Sequence, residues 1–150
     1  MATDPLRPGD EVPGIPEVDL SPPALVAFYK VTCPTCQMAA PPMERLHRTA
    51  DGGFVAVVQD AHDRAAAFAR EYGVSFASIP DEDPYPISRA WGVRVVPTLF
   101  ATSEGRVEDL AESWDREGWA RVAARFGELR GILVPAPSEE GDGLPPFRPG

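Results

Sequence analysis

Ala24-Leu25-Val26-Ala27-Phe28-Tyr29-Lys30-Val31-Thr32-Cys33-Pro34-Thr35-Cys36 is the stretch on which the fold turns. Its first half is a near-continuous apolar run with a valine and two aromatics, which suits a central strand buried on both faces. From Pro34 the pattern turns helical, with Met38, Met43, Leu46 and His47 spaced to face a core. Pro41 and Pro42 are expected to kink that helix, because proline removes a backbone donor and clashes with the preceding turn. A thiol at a helix start faces unpaired N–H groups and the positive end of the helix dipole, which favour the thiolate, the form that attacks disulfides. A second thiol three residues on lies on the same face and can close a disulfide with the first. Cys33 and Cys36 therefore read as a two-cysteine redox centre.

Outward from this stretch, Asp51-Gly52-Gly53 ends the helix and Phe54 to Val58 forms a second core strand. Asp60 or Asp63 is the expected N-cap of a helix through Ala65, Phe68, Ala69 and Tyr72, closed by Gly73. Val74 to Ile79 reads as a short third strand, Pro80 to Pro86 as a solvated acidic turn containing Asp81-Glu82-Asp83, and Ile87 to Trp91 as a brief helix. Pro97 to Thr102 is the next strand, joined through a turn at Ser103 to Arg106 to a return strand, Val107 to Leu110. Ser113 is expected to cap a last amphipathic helix carrying Trp114, Trp119, Val122, Phe126 and Leu129. The alternation gives an α/β domain whose mixed sheet is flanked by helices. Sites in such sheets form beyond the carboxyl ends of strands, where Cys33 stands.

At 150 residues and 43% hydrophobic, the chain suits one domain with a proper core. Prolines crowd both ends, so residues 1–23 are expected to be an extended segment joining the domain, 24–131 the domain itself, and 132–150 a mobile Pro/Gly-rich acidic tail. A net charge of −9 without a Lys/Arg cluster argues against nucleic acid and anionic membrane as partners. No stretch is apolar enough to span a bilayer, and Met1 to Asp10 is no secretory signal, so with Met1 as the start a cytoplasmic location is expected. In a reducing compartment, two close cysteines are more often catalytic or metal-binding than structural.

The strand Leu25 to Tyr29, the Cys33-Pro34-Thr35-Cys36 turn, the kinking Pro41 and the Val96-Pro97-Thr98 step together resemble the thioredoxin fold. Cys33 and Pro97 stand 64 positions apart, and the length between them holds an extra helix and strand, which resembles the TlpA/ResA-like, peroxiredoxin-related branch. Gly9-Asp10-Glu11-Val12-Pro13 and Ala90-Trp91-Gly92-Val93 are similar to that branch as well, so the likeness covers about residues 9–131. The resemblance implies a cis bond before Pro97, beside the cysteines. It also implies a protein-disulfide reductase in which Cys33 attacks a partner disulfide and Cys36 resolves the mixed disulfide. Pro34 and Thr35 would shape the potential, while Val96 and Pro97 would dock the partner's extended chain. The implied partners are a disulfide-bearing protein and an upstream thiol reductant, with no cofactor or metal and a monomeric state.

Two positions depart from the family pattern. A buried acid usually lies six residues before the first cysteine, where this chain has Ala27, and a tryptophan commonly precedes that cysteine, where it has Thr32. Lys30, and with it Thr32, is a candidate for tuning the thiolate. Zinc would need four ligands, yet only His47 and His62 add nitrogen donors; a copper carrier would use the cysteines with His62. A peroxidase of the peroxiredoxin type needs Thr three residues and Pro seven residues before its cysteine. Those positions are Lys30 and Val26 for Cys33, and Cys33 and Tyr29 for Cys36, so the motif fails in both frames. A thioredoxin-fold interaction module with idle cysteines is the remaining alternative, kept in view by Ala27.

Overall fold

The computed structural model describes residues 4–150, so Met1 to Thr3 of the expected N-terminal segment lie outside the described residues. Strand β1 (Ala24–Tyr29) is buried at all six positions and sits mid-sheet. On one edge it pairs in parallel with β2 (Phe54–Val58), and on the other it pairs antiparallel with β4 (Thr98–Ser103). With β3 (Ser78–Pro80) beside β2 and β5 (Arg106–Glu112) beside β4, the mixed sheet has the order β3-β2-β1-β4-β5.

Alternation along β1 sends Leu25, Ala27 and Tyr29 to one face and Val26 and Phe28 to the other. The first face packs against helices α1 (Pro34–Met38), α2 (Ala40–Thr49), α3 (His62–Tyr72) and α5 (Arg116–Arg130), through Cys36, Met43, Leu46, Phe68, Trp119 and Phe126. The second packs against α4 (Pro86–Ala90) and the N-terminal segment, with Trp91, Phe100, Ile15 and Leu20 closing the layer. The expected kink is present: α1 and α2 are separated at Ala39, just ahead of Pro41 and Pro42. Trp91, Trp114 and Trp119 are fully buried packing residues.

Several expectations are corrected, each because a polar group is used elsewhere. The third strand is Ser78–Pro80 rather than Val74 to Ile79, since the Ser75 N–H donates to Glu44 Oε1 at 2.8 Å instead of to a ladder. Neither Asp60 nor Asp63 caps α3: Ala61 holds that position without a side-chain bond, and Asp60 Oδ2 accepts from the Val31 N–H at 2.9 Å. Asp81 is not solvated. It is 2% exposed and accepts from the Ile87 and Ser88 N–H groups and the Ser88 hydroxyl, holding the first turn of α4. Ser113 does not cap α5, which starts after a short strand, β6 (Trp114–Asp115); its N–H donates to the Pro97 carbonyl at 2.8 Å.

Residues 132–150 follow a defined path where a mobile tail is expected. They run back across the domain and end in β7 (Phe147–Arg148), antiparallel to β6. Backbone bonding explains the departure from composition. Arg116 donates to the Ser138 hydroxyl and the Leu144 carbonyl at 3.1 and 2.7 Å, and its N–H donates to the Pro146 carbonyl at 3.0 Å. Trp114 Nε1 donates to the Pro145 carbonyl at 2.8 Å. A proline-rich strip needs few bonds of its own, because prolines have no N–H to satisfy.

Asp81→Ala should lower unfolding free energy by about 1–3 kcal/mol, since the buried Ser88 N–H and hydroxyl and the part-buried Ile87 N–H lose their acceptor. Urea unfolding checks it, and a loss below about 0.5 kcal/mol, the range of neutral surface changes, would show that Asp81 does not hold α4.

Candidate active site

β1 ends at Tyr29, and the chain then turns through residues 30–33 before α1 begins. The Cys33 N–H donates to the Lys30 carbonyl at 3.2 Å, and Gln37 Nε2 donates to the Val31 carbonyl at 2.9 Å, tying the turn to the helix that follows it. Cys33 is the N-cap of α1, and Pro34 opens the helix where no N–H is required. Cys33 Sγ accepts from the Cys36 N–H at 3.3 Å and lies 3.5 Å from the Val96 carbonyl oxygen. The Val96–Pro97 peptide bond is cis, as is Asp83–Pro84. Both cysteines are free thiols; Cys33 is half-buried and Cys36 is fully buried beneath it.

This placement splits the two thiols electrostatically. The Cys33 thiol is lowered to about 6, first by the hydrogen bond from the Cys36 thiol, against an opposing effect of burial, then by the Cys36 and Thr35 N–H groups and the charge of Arg148. Cys36 is pushed far up, first by burial, then by its bond to Cys33 and by the charges of Cys33 and Asp60. At neutral pH the half-buried Cys33 sulfur is a nucleophile, and the covered Cys36 keeps its proton until it is needed.

The structure gathers Cys33, Cys36, Pro34, Thr35, Val96 and Pro97 at one end of the sheet. Lys30 is elsewhere engaged: Nζ donates to Tyr85 OH at 2.9 Å and stands 4.9 Å from the centre of that ring. Lys30 keeps its charge, since a phenol hydroxyl accepts the hydrogen bond without neutralizing the ammonium, and the charge that lowers the Cys33 thiol is that of Arg148. Thr32 is exposed on the turn. His47 packs against Phe54 and Phe76, His62 is exposed at the start of α3, and no three metal-ligating side chains gather among the described residues.

Three residues of the site were not singled out from sequence for this purpose. Asp60, 7% exposed, supplies the acidic charge acting on Cys36 that the Ala27 position lacks. Ser113, with φ of 66°, accepts at Oγ from the Gly150 N–H at 3.1 Å. Arg148 arrives only because β7 docks. Sequence spacing carries no signal for the last two.

No protein-family model and no curated protein matches this sequence. Solved structures do. Mycobacterium tuberculosis DsbF is 24% identical over 71% of this chain and 82% of its own, with a TM-score of 0.60. A secreted disulfide oxidoreductase of the same organism, homologous to Escherichia coli DsbE, is 22% identical over 75% of this chain and 81% of its own, at a TM-score of 0.53. A thioredoxin-like protein from Parabacteroides distasonis is 10% identical over 87% of this chain and 98% of its own, at 0.62. The chain has a thioredoxin-like fold, shared with these structures.

Alkylation of the reduced protein by iodoacetamide should modify Cys33 first, with a rate that rises through a midpoint near pH 6, since the thiolate reacts and its pKa is about 6. Cys36 should stay unmodified while the protein is folded. A Cys33 midpoint near the ordinary thiol value of about 8.5 would refute the electrostatic split.

Proposed function

We propose that the protein is a thiol-disulfide oxidoreductase that reduces protein disulfides, with Cys33 as the attacking thiolate and Cys36 as the resolving thiol. The observation that carries this reading is the pairing of a half-buried N-cap sulfur with a buried thiol directly behind it. Cys33 Sγ attacks one sulfur of the partner disulfide; that S–S bond breaks and the departing thiolate takes a proton. Cys36 then gives up its proton and attacks Cys33 Sγ, the mixed disulfide breaks, and the partner's second thiolate is released and protonated. Two electrons pass to the partner, and the Cys33–Cys36 disulfide is reset by an upstream dithiol. A buried, protonated Cys36 suits this order, because it leaves Cys33 as the thiolate that meets the substrate and becomes a nucleophile only once the mixed disulfide has made Cys33 Sγ an electrophile beside it.

The TlpA/ResA-like branch is the assignment within the fold, supported by α3 and β3 between β2 and the Pro97 step. A cytoplasmic, monomeric protein belongs to the same reading. Reduction fits a reducing compartment, and the lone cysteine pair supports it. Among the described residues no helix is long and apolar enough to cross a membrane, while one structural neighbour is a secreted protein; cell fractionation with thiol trapping tests the compartment.

Wild-type protein should accelerate dithiothreitol-driven reduction of insulin, and Cys33→Ser should fall to the uncatalysed background. Cys36→Ser should accumulate a mixed disulfide with its substrate that dithiothreitol releases. Wild-type turnover no faster than that of Cys33→Ser would sink the reductase reading, and Cys33-dependent peroxide consumption would replace it with a peroxidase.

A further inference from the structure

The strip 144–150 does not merely cover the domain; its last residues lie in the groove between the cysteine turn and the Pro97 step. Pro149 offers its carbonyl to Thr35 Oγ1 at 2.7 Å, and the Gly150 N–H donates to Ser113 Oγ at 3.1 Å. Gly150 fits so closely against Val96 that a Cβ there would run into the Val96 carbonyl oxygen and stand 2.8 Å from its carbon. Thr35, between the two cysteines, is 3% exposed with its hydroxyl on the Pro149 carbonyl. The occupant is extended, pairs with β6 through Phe147 and Arg148, and leaves Phe147 56% exposed. Main-chain bonding to an extended segment is how a sheet margin recognizes a polypeptide.

We propose that residues 144–150 occupy in cis the groove in which a polypeptide disulfide docks, so that the segment is a built-in competitor of the substrate chain. The proposal rests on the reductase reading for what the groove is used for, and it adds to that reading a competitor carried in the same chain, held by the Pro149 carbonyl at Thr35 and the Gly150 N–H at Ser113. The segment competes through its tip, which covers Thr35 and Val96, and not through Arg148, whose positive charge favours the Cys33 thiolate.

The full chain carrying Gly150→Leu tests it, because the new side chain meets backbone rather than a yielding side chain and so expels the tip. Cys33 alkylation by iodoacetamide at pH 7 should rise about fivefold, the change in equilibrium that one net hydrogen bond supports. Ser113→Ala, which removes the acceptor at the same point, should shift it in the same direction. Insulin reduction should accelerate in parallel. A synthetic peptide, Leu-Pro-Pro-Phe-Arg-Pro-Gly, added to the Gly150→Leu protein should restore the slow alkylation. Alkylation at the wild-type rate in both variants, or no protection by the peptide, would overturn the proposal. Faster alkylation with peptide protection but no insulin reduction by any form would leave the docking established and reject the reductase reading instead.

Discussion

A strand paired on both edges and covered on both faces can hold no ionizable side chain without a partner, and β1 is such a strand over its whole length. With Ala27 at its middle, the strand carries its chemistry at its end. The turn after Tyr29 hands the chain to a helix whose first unpaired N–H groups face Cys33 Sγ. Ala27 is packed mid-strand on the Cys36 side of the sheet, and the negative charge acting on Cys36 comes from Asp60, just past the end of the neighbouring β2. There it can also accept the Val31 N–H and help fix the turn.

Most of the sheet was legible because apolar periodicity and glycine positions report local requirements. Phe54 to Val58 needs no tertiary information to be read as a strand, and Gly73 and Gly131 stop their helices in the left-handed conformation, with φ of 70° and 76°. Misreadings concentrate where a polar side chain has two plausible uses. Ser113, Asp60 and Asp81 each resemble a local cap or turn residue; whether the oxygen is used locally or bonds a distant segment depends on what tertiary packing brings near it.

The site was legible in the same uneven way. Cys33, Cys36 and Pro97 are marked by order and chemistry. Arg148 and Ser113 are marked by neither, because they reach the site through the path of a segment whose composition reads as disorder. Composition measures how much apolar surface a segment can bury; it does not count the donors of the domain, such as Trp114 Nε1 and the Arg116 N–H, that bare proline carbonyls can satisfy.

The fastenings at Arg116 and β6 hold the segment as far as Arg148, just before the residue that touches Val96, which makes it a tether with a fixed anchor and a short reach. A tethered occupant of this kind meets its groove at an effective concentration on the order of millimolar, set by linker length rather than by its abundance. A partner that grips the groove no better than these few residues, and is present at far lower concentration, would rarely enter it. The anchor at Arg116 thus sets a threshold of affinity for the proposed docking, favouring partners that hold the protein through additional contacts outside the groove.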